Sequence, residues 1–151
     1  MWHKIKKKEP MKIDKINIRV YGICLNSQSE ILALEEKYIG EDLTKLPGGG
    51  LEYGEGLLDC LQREFREELN LTVKSAQHFY TQEDFLVSKF RDNEQLLTVY
   101  YLVEIENLAS LKIKEPSIEN IKWVTLKDQC PFKLPIDQRV FEQLKHTLTC
   151  N

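Results

Sequence analysis

The sequence predicts an α+β fold, a mixed-sheet sandwich with helices packed on the sheet. Three observations carry this. Short apolar runs alternate with polar residues as strands do, two stretches repeat apolar residues at helical spacing, and the order along the chain is strand pair, helix, strands, helix. With 151 residues, 42% of them hydrophobic and 30% charged, the chain is long enough to build one domain around its own core.

Taken in order, residues 1–12 read as a flexible basic tail. Lys4, Lys6, Lys7 and Lys8 cluster ahead of Pro10, and Met11 offers an alternative start. Residues 13–151 read as a single domain, with no repeat, low-complexity segment or linker inside it. Ile16, Ile18 and Val20 alternate with polar residues and predict a strand. Leu25 to Glu30 reads as a turn, and Ile31 to Leu34 as a second strand, so the pair is expected to form a hairpin. All seven glycines lie between Gly22 and Gly56, and Gly48, Gly49, Gly50 and Gly54 mark an irregular loop. From Glu55 to Leu69 the spacing predicts a helix with Leu58, Leu61, Phe65 and Leu69 on one face. Asn70 follows where a left-handed cap is expected. Leu96 to Ile105 and Ile121 to Thr125 read as strands. Pro131 and Pro135 break the chain, and Ile136, Val140, Phe141, Leu144 and Leu148 then predict a closing amphipathic helix.

Charge and composition exclude several classes. The net charge of -3 and a single basic cluster give no positive surface for a nucleic-acid duplex. No run of 18 apolar residues exists, so no membrane span is expected. No apolar signal core follows the first lysines. Cys24, Cys60, Cys130 and Cys150 are scattered, without a CxxC and away from His3, His78 and His146. Reduced thiols, no zinc site and a cytoplasmic location are the expectation.

The chemistry concentrates on the first helix. Glu64, Glu67 and Glu68 stand at i, i+3 and i+4, on one side of the helix, about 110° around from the Leu58/Leu61/Phe65/Leu69 face. Like charges so spaced cost roughly 0.2–0.5 kcal/mol, and anions in the last turn oppose the helix dipole by roughly 0.3–1 kcal/mol. Arg63 offsets part of this through Glu67 at i+4; a hard divalent cation such as Mg²⁺ would offset more. A carboxylate run alone is most often a solvated face. The glycine-rich segment changes the balance. It leads into the helix N-terminus, where free backbone N–H groups can receive a phosphate. A phosphate cradle beside a carboxylate cluster points to phosphoryl transfer.

Leu46-Pro47-Gly48-Gly49-Gly50-Leu51-Glu52-Tyr53-Gly54-Glu55, continued by Arg63-Glu64-Phe65-Arg66-Glu67-Glu68-Leu69-Asn70-Leu71, strongly resembles the box of the Nudix hydrolases, a family that includes the MutT-like enzymes. Gly49, Glu55, Arg63, Glu64, Glu67, Glu68 and Leu71 fall in its register. Phe65 stands where an aliphatic residue is usual, and Asn70 replaces the box glycine. The box covers 23 residues. Ile121 to Val124 and the closing helix extend the likeness over most of the chain. The resemblance implies an α/β/α sandwich with a mixed sheet and a loop–helix–loop box. It implies metal-dependent cleavage of a phosphoanhydride in a nucleoside diphosphate linked to another moiety. It makes Glu64, Glu67 and Glu68, with the carbonyl of Gly48, ligands of Mg²⁺ or Mn²⁺. Arg63 would orient the carboxylates, and Glu52 and Glu55 would brace the loop.

The proton acceptor is open. Glu67 or Glu68 could serve, and later acidic residues supply Glu119, favoured here, with Glu115 and Glu94. Arg19 and the glycines Gly48, Gly49 and Gly50 are candidates for holding the substrate, and Arg91 is a further arginine within reach of a phosphate. Asp137, in a Cys130-to-Asp137 stretch like a base-contacting loop of some Nudix enzymes, is a candidate reader, although the helix dipole alone accounts for an acid there. Tyr21, Phe79, Tyr80, Phe85, Phe90, Tyr100 and Trp123 could stack a base or simply fill the core. The expected partner is a small nucleotide or nucleotide derivative, with a homodimer left open. Two other readings compete. One is a Nudix fold that senses a nucleotide without cutting it, against which the complete carboxylate set argues. The other is a diphosphate isomerase using a cysteine such as Cys60, which is expected to be a packing residue.

Overall fold

A computed structural model describes residues 12–149. The basic tail, apart from Lys12, and Cys150 lie outside the described residues. The described elements are β1 (Lys15–Cys24), β2 (Ile31–Tyr38), β3 (Glu41–Lys45), β4 (Gly48–Gly50), α1 (Leu57–Leu69), β5 (Val73–Thr81), β6 (Glu94–Ile105), a 3₁₀ turn (Leu108–Ser110), β7 (Ile118–Val124) and α2 (Pro135–Thr149). The strands form two sheets, ordered β4-β1-β6-β5 and β3-β2-β7. The first sheet is mixed, because β1 and β6 run parallel from Lys15 opposite Glu94 to Cys24 opposite Val103 while its other pairs are antiparallel.

The expected hairpin is corrected. Asn26 Oδ1 accepts the N–H groups of Gln28 and Glu30, each at 2.9 Å, and this closes the turn. Past a single bridge between Leu25 and Ile31, however, β1 joins one sheet and β2 the other. The second half of β1 and the first half of β2 are buried on both faces, which a two-stranded ribbon would leave in water. Val20 and Cys24 of β1, with Leu32 and Leu34 of β2, pack toward Leu61, Phe65 and Leu69 of α1. Tyr21 and Ile23, with Ile31 and Ala33, pack toward Val140, Phe141 and Leu144 of α2. Each fully buried Leu, Ile or Phe contributes roughly 1.5–3 kcal/mol. The result is the helix–sheet–helix sandwich that the sequence predicts.

The glycine segment is also corrected, since Gly48 to Gly50 is not a loop but an edge strand pairing antiparallel with Arg19 to Tyr21. Glycine is required here for closeness. At Gly48 (φ +142°) a β-carbon would collide with the Val20 carbonyl and with Tyr21. Helix α1 starts two residues later than predicted, with Asp59 accepting the Gly56 N–H at 2.9 Å. Leu58 is half exposed, because Leu57 takes the inward place in the first turn. Asn70 closes the helix in the left-handed conformation, as expected, at φ 60°. Its N–H reaches the Arg66 carbonyl and that of Leu71 reaches Phe65.

Candidate active site

Arg63 is the organising cation of the box. Its Nε and Nη2 donate to the two carboxylate oxygens of Glu55, forming a fork. Nη2 also reaches the Gly50 carbonyl at 2.9 Å, which ties α1 to β4. Nη1 donates to Glu64 at 2.9 Å and to Glu67 at 3.3 Å. Glu52 is 3.7 Å away, and its own N–H donates to Glu55. Hydrogen bonding from Arg63 holds the Glu55 carboxyl down at about 2.

The three carboxylates do not form one exposed row. Glu67 is exposed, Glu64 is largely covered, and Glu68 is buried with 6% of its surface accessible. Glu68 lies in the helix face that also buries Leu61 and Phe65, so part of the acidic side is interior. Its Oε1 accepts the Gly48 N–H at 3.1 Å, and its Oε2 faces Lys45 Nζ at 3.5 Å. Burial pushes the Glu68 carboxyl up to about 7, against the pull of Lys45 and the Gly48 N–H. Glu64 lies flat against the chain, where a β-carbon on Gly49 would be 2.5 Å from its Oε1.

Lys45 is the residue that sequence reasoning missed. Nine-tenths of it is buried. Besides Glu68, its ammonium meets Glu36 Oε2 at 3.2 Å and the Gly48 carbonyl at 3.5 Å. Glu36 in turn accepts the Ser117 hydroxyl at 2.9 Å. Lys45 stands only two residues before Pro47, and that proximity to the glycines is the sequence signal that could have found it. Glu36 sits in the middle of an ordinary strand and carries no such signal.

Beside this cluster opens a cavity of about 170 Å³. Asn17, Arg19, Tyr21, Glu36, Tyr38, Lys45, Lys89, Phe90, Arg91 and Glu94 are among its walls. Arg19 Nε donates to the Tyr21 hydroxyl at 2.7 Å, and its guanidinium feels the charge of Glu64. Tyr38 and Phe90 meet edge to face at 4.5 Å. Asn17 donates to Glu94 at 3.2 Å.

The other expected residues separate. Asp137 is 3% exposed and is absent from the cavity wall. It accepts the Tyr100 hydroxyl at 2.6 Å in the core beneath α2. Tyr100 is core as well, stacked on Tyr21. Glu119, the favoured proton acceptor, is exposed on β7 in an open groove with Glu35, Asp42 and Lys133, which shares Glu36 and Leu43 with the cavity but brings Glu119 itself to no cavity wall. Glu115 holds Ser117. Of these three late acids, Glu94 is the one lining the cavity. Cys60 is fully buried, its thiol against the Gly49 and Gly50 carbonyls, and burial pushes it up to about 11. A thiol so placed is a packing residue.

The donor chemistry fits a hard divalent cation. Glu36, Glu52, Glu55, Glu64, Glu67 and Glu68 surround the cations Arg63 and Lys45, with Arg19 alongside, and leave an excess of negative charge. Carboxylate and carbonyl oxygens are the ligands Mg²⁺ takes. Among the described residues no three acidic, histidine or cysteine side chains converge on one point. Arg63 and Lys45 hold the carboxylates instead.

Comparison with known proteins agrees with this geometry. The chain is 25% identical over 131 residues to an RNA pyrophosphohydrolase of Actinobacillus pleuropneumoniae, covering 74% of this chain and 64% of that protein. It is 30% identical over 84 residues to the nucleoside triphosphatase NudI of an Enterobacter species, covering 53% of this chain and 60% of that one. The chain thus spans somewhat less than two thirds of each of these relatives. A MutT structure from work on the Aliivibrio salmonicida and Vibrio cholerae proteins superposes with a TM-score of 0.70 at 24% identity, over 88% of this chain and 99% of that one. The NUDIX domain profile matches residues 15–144, nearly the whole described chain, and the chain therefore belongs to the Nudix hydrolase family.

Proposed function

We propose that this chain hydrolyses a phosphoanhydride bond in a small nucleotide or nucleotide derivative, such as a nucleoside triphosphate or a nucleotide sugar. Membership in the Nudix hydrolases makes that the reaction class. The observation that carries the reading is the junction of cavity and carboxylates. Lys45 and Arg19 line the cavity, and their charges meet Glu68 and Glu64 on the other side.

In this reading Glu64, Glu67 and Glu68, with the Gly48 carbonyl, would hold Mg²⁺ or Mn²⁺. The ion, when bound, neutralises phosphate oxygens and acidifies water. Arg63 keeps Glu64 and Glu67 in place. Arg19 receives a phosphate through its remaining N–H groups, beside the β4 backbone of Gly48 to Gly50. Tyr38 and Phe90 offer aromatic surface to a base. Water adds to one phosphorus, the bridging P–O bond breaks, and the proton of the water passes to a carboxylate. Glu67, exposed, and Glu94, on the cavity wall, are the candidates that the geometry favours over Glu119.

The test is a panel of nucleoside triphosphates, nucleotide sugars, ADP-ribose and dinucleoside polyphosphates, with Mg²⁺ and with Mn²⁺, both products being identified. Metal-dependent release of a phosphate-bearing product that is lost in Glu67→Gln supports the reading. Tight binding without turnover across the panel overturns it in favour of a nucleotide sensor.

A further inference from the structure

The Lys45 ammonium is set among three oxygens. Glu36 Oε2 lies at 3.2 Å, and Glu68 Oε2 and the Gly48 carbonyl both lie at 3.5 Å. Two of the three, Glu68 and the Gly48 carbonyl, belong to the oxygen set assigned above to the divalent cation. Glu36 does not. The structure thus gives one positive charge a foot in two places. One is the metal half of the site, and the other is a carboxylate on the neighbouring strand β2.

We infer that Lys45 is a tethered counter-ion, which a divalent cation must displace from Glu68 and the Gly48 carbonyl before the site is loaded. This rests on the metal-dependent reading above. Three physical points carry it. First, an oxygen-bound divalent ion sits about 2 Å from its ligands. With the ammonium 3.5 Å from either oxygen, an ion bound to either would stand within about 6 Å of an unmoved lysine charge, inside one Debye length and between two largely buried side chains. Like charges so placed repel, so the two occupants exclude each other. Second, a buried carboxylate is costly to keep charged without a partner. Glu68 has 6% of its surface accessible, and Lys45 supplies that partner in the absence of metal. Third, the lysine has somewhere to go. Glu36 is its nearest partner and is itself fixed by the Ser117 hydroxyl. Both Lys45 and Glu36 line the cavity, so the released ammonium remains paired and turns toward the space where an anionic substrate binds. Metal and substrate would then bind with positive coupling through one side chain.

The inference is tested on the metal-stripped full chain with Mn²⁺ as the probe, free ion being read by electron paramagnetic resonance and heat by calorimetry, without any turnover assay. Removing the competing charge in Lys45→Met is expected to tighten Mn²⁺ binding by about tenfold or more, while Lys45→Arg keeps the parent affinity. Glu36→Gln takes away the retreat partner and is expected to weaken Mn²⁺ binding severalfold. Opposite signs for Lys45→Met and Glu36→Gln distinguish counter-ion exchange from simple loosening of the fold, which would weaken both. Should Lys45→Met not fold, the Glu36→Gln arm decides, and unchanged or tighter binding there overturns the inference. Parent binding with unchanged or weaker affinity in Lys45→Met also overturns it, while leaving the metal-dependent reading intact. If neither the parent nor any variant takes up Mn²⁺, the metal reading itself fails and the inference falls with it.

Discussion

The ring of Phe65 fills the space that a β-carbon on Gly22 would need: its Cε1 and Cζ each lie 2.5 Å from that position. Phe65 is fully buried, so it cannot simply turn away. The pair accounts for an aromatic residue at a helix position where the resemblance led one to expect an aliphatic one. The strand gave up its side chain, and the helix supplies the volume. Gly22→Ala should therefore cost about 1–3 kcal/mol by overpacking. Phe65→Leu in that background should recover part of the loss, a negative coupling in a double-mutant cycle of chemical unfolding. A Gly22→Ala protein within about 0.5 kcal/mol of the parent would refute this account of the packing.

Gly49 presents the same closeness with a different consequence. There the intruding group is the carboxylate of Glu64, the end of a flexible side chain, with Oε1 2.5 Å from the missing β-carbon. Gly49→Ala should leave stability within about 1 kcal/mol, because the carboxylate can swing aside. It should still cut metal-dependent turnover by about 10²-fold, since a displacement of about 1 Å near the reacting groups costs that much. Equal losses of stability and turnover would argue against Glu64 as a positioned ligand.

How far the sequence could be read depended on whether a feature is local. The cap at Asn70 was legible because the left-handed conformation is a property of one residue and its immediate neighbours. The register of Glu64, Glu67 and Glu68 was legible because helical spacing fixes it. Their environments were not. Helical periodicity gave all three one side, but the sheets bury Glu68 and leave Glu67 in solvent. The glycine segment misled because composition favoured a loop, whereas pairing with Arg19 to Tyr21 made it a strand. Lys45 and Glu36 come together only because β2 and β3 pair antiparallel, setting Glu36 opposite Leu43 and Leu34 opposite Lys45. Asp137 was legible as an acid in the first turn of its helix, but its partner was not, because the Tyr100 hydroxyl that it accepts comes from a strand 37 residues away.

Asp137 carries a pH prediction. Burial pushes its carboxyl up to about 6 from an ordinary 3.8, although the Tyr100 hydroxyl opposes the change. The folded state thus holds this proton more tightly than the unfolded chain does. The contribution to stability is complete below about 3.8 and is lost as pH rises through about 6. The difference corresponds to on the order of 3 kcal/mol. Asp137→Asn keeps an acceptor for Tyr100 and cannot ionise. Its unfolding free energy should therefore fall less than that of the parent between pH 4 and 7. Parallel profiles for the two proteins would mean that Asp137 does not titrate in this window.

Arg63 makes a prediction on the acid side. It is the shared donor for Glu55, Glu64, Glu67 and the Gly50 carbonyl, and its hydrogen bonds hold Glu55 down at about 2. The sign is opposite to that of Asp137. A lowered carboxyl contributes stability above its ordinary value of 4.5 and loses it as pH falls toward about 2. Lysine keeps the charge but not the planar fork, and it cannot serve four acceptors at once. Arg63→Lys should therefore show a shallower loss of stability between pH 4.5 and 2. At neutral pH it should lose about 10²-fold in turnover, because Glu64 and Glu67 are no longer fixed. A variant whose acid profile flattens while turnover is unchanged would separate the two duties, leaving Arg63 as a brace for Glu55 and the β4 edge alone.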